Sequence, residues 1–495
     1  MLFASPIYGV FLLVTFAAFW ALRRRSFLRP LFLMLASYAF YVIGTYEAAT
    51  APELLEPVPL GPVKWTILCV AIIFVGSTLD FWIGRALGRT QNQRTRKMLL
   101  LVSVVYYLGV LSVFKYFDFA VDSVAAVLGW AGIHVQPTHL KLVLPFGISF
   151  FTFETMSYTI DVYRREIEPA DRYLDYLLFV CFFPHLVAGP IVRPRAMLPQ
   201  LAAEPVASDA MKAHGLFLIA TGLLKKIVIG DTLGLNLVNR AFDNPERFSS
   251  LECLIAVYAY AIKIYADFSG YSDVAIGSAK LFGYELPINF DVPYVSRSIQ
   301  EFWRRWHISL STWLRDYLYV TLGGNRKGTW KTYRNLLATM VLGGLWHGAS
   351  WNFVIWGALH GAGLAIERAL TGKPTKSEPK REPGFLGSAV RVFLVFHFVC
   401  FAWIFFKAKT FEHATLMITR IGKLTFDTNN LAPKVIAVLV LGMVVHFVPK
   451  GWFERIRTAF IDLPAVAQGV ALALCAYALH FASGAKTEPF IYGQF

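Results

Sequence analysis

The stretch LGGLWHGASWNFVIWGALHG (Leu342–Gly361) decides the fold class of this chain. It joins two apolar segments. Its hydrogen-bonding side chains are those of His347, Asn352 and His360, together with one serine and the tryptophan indoles. Polar side chains inside a membrane cost free energy unless they line a cavity or find partners. The stretch therefore predicts membrane-embedded helices that carry a candidate site.

The same apolar character extends over the whole chain, which has 495 residues, of which 56% are hydrophobic and 16% charged. About 20 apolar residues cross a hydrocarbon core, and shorter runs are re-entrant or tilted. We predict about a dozen such helices, near residues 7–22, 30–46, 63–84, 98–130, 142–160, 173–192, 214–235, 251–282, 305–322, 334–347, 350–370, 387–406, 433–449 and 465–482. With no internal repeat or soluble domain, the sequence predicts an all-α polytopic membrane protein forming a single domain over 1–495.

The net charge of +15 raises nucleic acid as a partner, but the positions of the charges argue against it. Basic residues cluster between apolar segments, at 23–29 and 85–97, as in cytoplasmic loops. The intervening loop holds glutamates and neither Lys nor Arg, so we expect the N-terminus outside. KPTKSEPKREP (373–383) has the composition of a disordered cytoplasmic linker, and beyond 407 the charges predict no topology.

The sequence lacks the motifs of several enzyme classes. The sequence contains no GxSxG, HExxH or Walker A pattern, and its five cysteines lie singly in apolar stretches. A metal site on His307 and His347 would lack a third ligand at an expected spacing, so we predict no metal.

A second polar segment, FWRRWHISLSTWLRDYLY (Phe302–Tyr319), precedes the first. One continuous helix would place His307, Ser311 and Arg315 at i, i+4 and i+8 on one face. The alternative is an amphipathic interfacial helix, with its Arg and Trp side chains meeting lipid headgroups.

His347 is the strongest candidate for chemistry. An imidazole takes and releases a proton near physiological pH, as a general base must. The flanking Gly343, Gly344 and Gly348 would let a backbone or a ligand approach the ring. The alternative is a histidine that packs in the core with its nitrogens satisfied by neighbours. Asn352 and His360 share a helical face at i and i+8 and either support the site or pair with each other.

Four stretches closely resemble the membrane-bound O-acyltransferase family, and within it the bacterial alginate O-acetylase-like branch. They are LPFGISFFTFETMSYTIDVYR (144–164), FFPHLVAGPIVR (182–193), YADFSGYSDVAIG (265–277), and the block from Trp303 to Gly357 that includes GGNRKG. The ending PFIYGQF (489–495) is also similar to that branch. The resemblance spans almost the whole chain.

The resemblance implies a ring of tilted helices around a central tunnel, with the catalytic core at about 142–370. It implies that His347 is the catalytic histidine and that His307 occupies the second, more variable polar position. As donor it implies acetyl-CoA or an acyl carrier thioester, with no bound cofactor. Arg304, Arg305 and Arg315 are candidates for contact with that anionic donor or with lipid headgroups, and Ser311, Trp346 and Asn352 complete the tentative substrate-binding set.

The resemblance also implies a multi-pass protein of the bacterial inner membrane. Such a protein works with a periplasmic or extracellular acetyltransferase that acts on a polysaccharide such as alginate, cellulose or peptidoglycan. The sequence does not choose the glycan. Two alternatives are D-alanyl or other acyl transfer from a carrier protein, and a transporter or flippase. A transporter would place its site between inverted repeats, which this sequence lacks.

Overall fold

The computed structural model describes residues 3, 5–50, 58, 60–187, 189–372 and 384–482. Within these ranges the regular secondary structure is helical throughout, with no β-strand, which confirms the predicted all-α class. The linker at 373–383 and the PFIYGQF ending lie outside the described residues. The described residues group into two compact units.

The first unit comprises Met1–Leu216 and Val274–Pro287. Its helices are α1 (Pro6–Ala21), α2 (Leu28–Ala49), α3 (Pro62–Arg89), α4 (Gln93–Leu111), α5 (Phe117–Trp130), α6 (Ile148–Arg164), α7 (Tyr173–Cys181), α8 (Phe183–Leu186), α9 (Pro194–Ala202) and the first half of α10 (Asp209–Leu224). A π-helical turn, Ser112–Tyr116, joins α4 to α5.

The second unit comprises Phe217–Asp273 and Ile288–Phe495. Its helices are the rest of α10, α11 (Asn239–Asp243), most of α12 (Ser250–Leu281), α13 (Ile299–Arg305), α14 (Ile308–Trp313), α15 (Thr329–His347), α16 (Trp351–Thr371), α17 (Phe385–Lys407), α18 (Phe411–Ile421), α19 (Pro433–Phe447), α20 (Lys450–Ile461) and α21 (Ala465–Ala482). Three π-helical segments also belong to it, Lys225–Asp231, Gly234–Val238 and Leu314–Tyr319. Such segments are rare and often lie near functional sites.

Five of the described helical spans are long and apolar enough to cross a membrane. They are Leu28–Ala49, Pro62–Arg89, Gln93–Trp130, Phe385–Lys407 and Ala465–Ala482. Counting α19 and α20, which meet at a 93° bend, as one broken span gives a sixth. The sequence predicted about a dozen spanning or re-entrant helices. The other predicted segments do form helices, but they are shorter, interrupted, or carry polar side chains.

Helices α15 and α16 form a tightly packed hairpin, and glycines allow the close approach. A Cβ built on Gly344 would lie 2.2 Å from the Phe353 carbonyl oxygen, and one on Gly357 would lie 2.3 Å from the Met340 carbonyl oxygen. No side chain fits in such a gap, so only glycine permits this packing. The hairpin places His347, the last residue of α15, against the first turns of α16.

Candidate functional site

His347 lies in an aromatic enclosure in the second unit. Its ring centroid is 5.0 Å from those of Trp346 and Trp356 and 5.1 Å from that of Phe406, and only 3% of its surface is exposed. Phe353 completes the enclosure at 6.5 Å. His347 is therefore buried, and its immediate surroundings are strongly apolar.

The glycines beside His347 have a structural role in this enclosure. A Cβ on Gly348 would lie 2.1 Å from the Phe353 ring, and one on Gly344 would meet the Phe353 carbonyl oxygen. The sequence left open whether the glycines let a backbone or a ligand approach the imidazole. In the structure, the backbone of α16 and the Phe353 ring occupy this space. The glycine pattern alone is thus accounted for by helix packing.

The predicted continuous helix through His307, Ser311 and Arg315 is wrong. Helix α13 ends at Arg305, and His307 precedes α14 with a left-handed φ of +42°. The helix then turns π-helical from Leu314 onward, which changes the angular spacing of the side chains. As a result His307 is completely buried, whereas 63% of the Arg315 side chain is exposed.

A buried asparagine that the sequence analysis missed holds His307. The Nδ1 atom of His307 lies 3.1 Å from Asn289 Oδ1, and the same oxygen accepts hydrogen bonds from the Ser309 backbone N–H at 3.2 Å and the Ser309 hydroxyl at 2.9 Å. At the other end of the amide, Asn289 Nδ2 donates to Ser272 Oγ at 3.3 Å. No local pattern marks Asn289, because its partners are distant in sequence.

Trp346 brings the two candidate histidines into one neighbourhood. Its ring centroid lies 5.0 Å from that of His347 and 6.2 Å from that of His307. The structure therefore places His307, which precedes α14, together with Trp346 and His347 at the end of α15. The two segments are forty residues apart along the chain, so no local spacing predicts this grouping.

The predicted donor-binding residues have different environments. Arg304 is exposed, whereas Arg305 is half-buried and pairs with Glu301 at 2.8 Å and with Asp291 at 3.7 Å. Arg315 pairs with its neighbour Asp316 at 2.7 Å. Ser311 donates to the Trp306 carbonyl oxygen at 3.1 Å. Of the three arginines, Arg304 and Arg315 are thus the ones exposed at the surface.

Asn352 and His360 lie on one face of α16, as predicted, but each hydrogen-bonds elsewhere. The Asn352 amide donates to the Ala408 carbonyl oxygen at 2.8 Å, and Trp303 Nε1 donates to His360 Nδ1 at 3.3 Å. Both residues are buried and join α16 to neighbouring segments. Their hydrogen bonds thus contribute to the packing around the site rather than to a pair between the two residues.

A buried ion cluster, only part of which the sequence motifs indicate, comprises Lys226, Asp231, Lys263 and Asp267. Lys226 Nζ lies 2.6 Å from Asp231 Oδ1 and 2.9 Å from Asp267 Oδ1, and Lys263 Nζ lies 3.6 Å from Asp267 Oδ2. Of these four residues, Asp267 lies in the segment YADFSGYSDVAIG (265–277) that carries the family resemblance. A lysine pair, Lys225 and Lys226, within the apolar segment at 214–235 was the missed signal.

The first unit holds a separate buried pair, Glu154 and His185. The His185 Nδ1 atom lies 3.0 Å from Glu154 Oε1, and the same oxygen accepts the Val192 N–H at 3.0 Å. Both side chains are fully buried, and the two contacts of Glu154 tie α6 to α8 and to the loop that follows α8. Across the described ranges, no three His, Cys, Asp or Glu side chains gather where they could hold a metal ion.

Comparison with known proteins identifies the family. The model of "MBOAT, membrane-bound O-acyltransferase family" matches residues 88–407. The probable alginate O-acetylase AlgI of Pseudomonas aeruginosa is 39% identical over 422 residues, which cover 84% of this chain and 74% of that protein. The same-named protein of Azotobacter vinelandii is 36% identical over the full length of both chains.

A peptidoglycan O-acetyltransferase of Helicobacter pylori is 33% identical over 445 residues, covering 84% of this chain and 78% of that protein. The family match spans both candidate histidines and most of the described helices. Together with the apolar spans, these similarities show a multi-pass membrane enzyme that transfers acyl groups. The chain belongs to the membrane-bound O-acyltransferase family.

Proposed function

We propose that this acyltransferase moves acetyl groups from a cytoplasmic thioester donor, across the bacterial inner membrane, toward the hydroxyl groups of an exported polysaccharide. The relatives described above are named for O-acetylation of alginate or peptidoglycan, and this supports acetyl as the acyl group and a glycan as the final acceptor. D-alanyl transfer from a carrier protein is the second candidate.

The observation that carries the proposal is the buried imidazole of His347 at the end of the α15–α16 hairpin. In the proposed step, His347 removes the proton of the acceptor hydroxyl, whose oxygen then forms a bond to the thioester carbonyl carbon. The carbon–sulfur bond breaks, and the thiolate leaves with the proton that His347 had taken. Such a base contributes about 10²- to 10⁴-fold to the rate.

The aromatic enclosure of His347 fits a reaction that must exclude water. A thioester that reaches a wet site is hydrolysed, whereas Trp346, Trp356, Phe353 and Phe406 leave little room for water at the ring. Because the ring is 3% exposed, we propose that donor and acceptor reach it when these side chains move aside.

His307 is the second proposed catalytic residue, because it shares the neighbourhood of Trp346 with His347. A group beside the reacting carbonyl can either donate a hydrogen bond to it, and so stabilise the developing negative charge, or accept a proton. The tautomer of His307, that is, which ring nitrogen carries the proton, decides between these roles.

For the donor we propose acetyl-CoA or an acyl carrier thioester. Either would bring negative charge, and the exposed Arg304 and Arg315 side chains suit electrostatic attraction of an anionic ligand. We further propose a periplasmic or extracellular acetyltransferase as partner that completes transfer to the polymer. Lipid headgroup contact is the structural alternative for the two arginines.

The test is substitution of His347 in the native host. His347→Ala should lower the O-acetyl content of the exported polysaccharide by at least about 10²-fold, because the general base is lost. His134→Ala, which removes an exposed histidine of the first unit, is the matched control and should leave acetylation unchanged. Both variants should accumulate in the membrane at the level of the unaltered protein.

Two outcomes would contradict the proposal. Normal acetylation by His347→Ala would show that the histidine is only a packing residue. Membrane vesicles that transfer D-alanine from a carrier protein, and no label from radiolabelled acetyl-CoA, would favour the second candidate.

A further inference from the structure

The hydrogen bonds around Asn289 determine which of its amide atoms faces His307. The Ser309 backbone N–H, which can only donate, points at 3.2 Å to the same Asn289 atom that lies 3.1 Å from His307 Nδ1. That atom must therefore be the carbonyl oxygen Oδ1. The Asn289 Nδ2 end donates to Ser272 Oγ, which is consistent with this orientation.

Because Asn289 Oδ1 can only accept hydrogen bonds, the atom of His307 that faces it must be a donor. The Nδ1 nitrogen must then carry a proton, because an unprotonated Nδ1 would face the lone pairs of Asn289 Oδ1. A fully buried imidazole beside a neutral amide favours its uncharged form, which has one proton only. In this form Nε2 holds a lone pair and acts as an acceptor.

The backbone around this contact is held from both sides. The Ile308 N–H donates to the Asn289 carbonyl oxygen at 2.9 Å, and the Asp291 N–H donates to the Arg305 carbonyl oxygen at 2.9 Å. These bonds hold His307 in its left-handed conformation, which a residue with a Cβ adopts only when its surroundings require it. The ring's position relative to Asn289 is therefore set by the fold.

We propose that Asn289 is a positioning residue that holds His307 in the Nδ1–H tautomer, so that His307 presents Nε2 to the reaction as a proton or hydrogen-bond acceptor. The inference deepens the proposed function and rests on it for its catalytic meaning. In this tautomer Nε2 carries no proton, so it cannot donate a hydrogen bond to the donor carbonyl. Polarisation of that carbonyl must come from another group, and His307 instead accepts from a hydroxyl or amine hydrogen.

The first test reads the tautomer directly and requires no activity. The protein is labelled with ¹⁵N-histidine in lipid bilayers, and the His307 signals are assigned by their disappearance in His307→Gln. We expect a protonated Nδ1 and an unprotonated Nε2 at neutral pH. A protonated Nε2 would overturn the inference while leaving the acyltransferase proposal intact.

The second test compares two substitutions of Asn289. Asn289→Leu removes the acceptor at similar size and should lower acetyl transfer by about 10- to 100-fold, the loss seen when partners that orient metal-bound histidines are removed. Asn289→Asp keeps the acceptor, and its negative charge favours the imidazolium form. Because only the unprotonated Nε2 accepts, the loss of activity on acidification should then begin at higher pH.

A matched control separates positioning from simple destabilisation. Asn335 is another buried asparagine of the second unit, and its amide donates to the carbonyl oxygens of Leu322 and Gly324. Asn335→Leu should lower thermal stability but leave the His307 tautomer and the pH profile unchanged. If Asn289→Asp and Asn335→Leu show the same pH profile as the unaltered protein, Asn289 has only a structural role and the inference fails.

Discussion

Two buried polar groups of the second unit differ in how their polarity is compensated. In the ion cluster, Lys226 lies between the carboxylates of Asp231 and Asp267, so opposite charges neutralise one another. In the histidine site, His307 contacts a neutral amide and His347 is surrounded by aromatic rings. The ion cluster has the composition of a structural element, whereas the histidine site keeps groups that can exchange protons.

This difference has a physical basis. A buried charge is tolerated only when a partner neutralises it, and a partner held that tightly leaves little freedom for chemistry. A neutral imidazole can be buried at lower cost and still change its protonation state when a substrate arrives. We therefore expect substitutions in the ion cluster to affect stability and those in the histidine site to affect turnover.

The largest expected effect on stability is that of Lys226→Met. It removes the cation that lies between the buried carboxylates of Asp231 and Asp267, and breaking such a buried pair costs about 3–5 kcal/mol. Thermal unfolding of the purified protein in detergent should show a strongly reduced midpoint, and less protein should accumulate in the membrane.

Lys409→Met is the matched control for this substitution. Lys409 also pairs with a carboxylate, Asp243 at 2.9 Å, but 71% of its side chain is exposed. Removing an exposed pair costs at most about 1 kcal/mol. Equal unfolding midpoints for the two variants would show that burial does not distinguish them, and the comparison between the two polar groups would lose its basis.

An intermediate effect is expected from Gly344→Ala in the α15–α16 hairpin. The added Cβ would meet the Phe353 carbonyl oxygen at 2.2 Å, so the helices must separate, at a cost of about 1–3 kcal/mol. Since His347 ends α15, acetyl transfer should fall as well. Both quantities are measured on the same membranes, by unfolding and by acetyl incorporation.

The neighbouring glycine provides the control. A Cβ on Gly343 would meet only the Leu314 Cδ1 methyl at 3.0 Å, and a side chain can move where a backbone cannot. Gly343→Ala should therefore be much milder than Gly344→Ala. If Gly343→Ala is the more damaging of the two, the close approach of the helix backbones does not position His347.

The smallest effect on stability is expected for Arg315→Gln. Its pair with Asp316 is exposed and contributes at most about 1 kcal/mol. If Arg315 attracts the anionic donor, the variant should raise the KM for that donor with little change in kcat, measured at several salt concentrations. Unchanged KM at low salt would assign Arg315 to the surface or to lipid contact.

Much of the fold could be predicted because it depends on local composition. The apolar segments near 30–46, 63–84 and 387–406 correspond to α2, α3 and α17, since long runs of apolar residues specify membrane helices without reference to distant partners. The break before His307 could not be predicted. The residue pattern of the Phe302–Tyr319 segment is that of one continuous helix. His307 is held in its left-handed conformation by hydrogen bonds to the loop around Asn289.

The sequence by itself determined the all-α membrane class, the family and the two histidines that merit a test, because apolar content and short motifs are local properties. Only the tertiary structure decided that Asn289 holds His307, that Trp346 lies beside both imidazoles, and that Lys226 pairs with Asp267. Each of these contacts joins residues from different parts of the chain. Their energies depend on burial and orientation, and these exist only after the helices have packed.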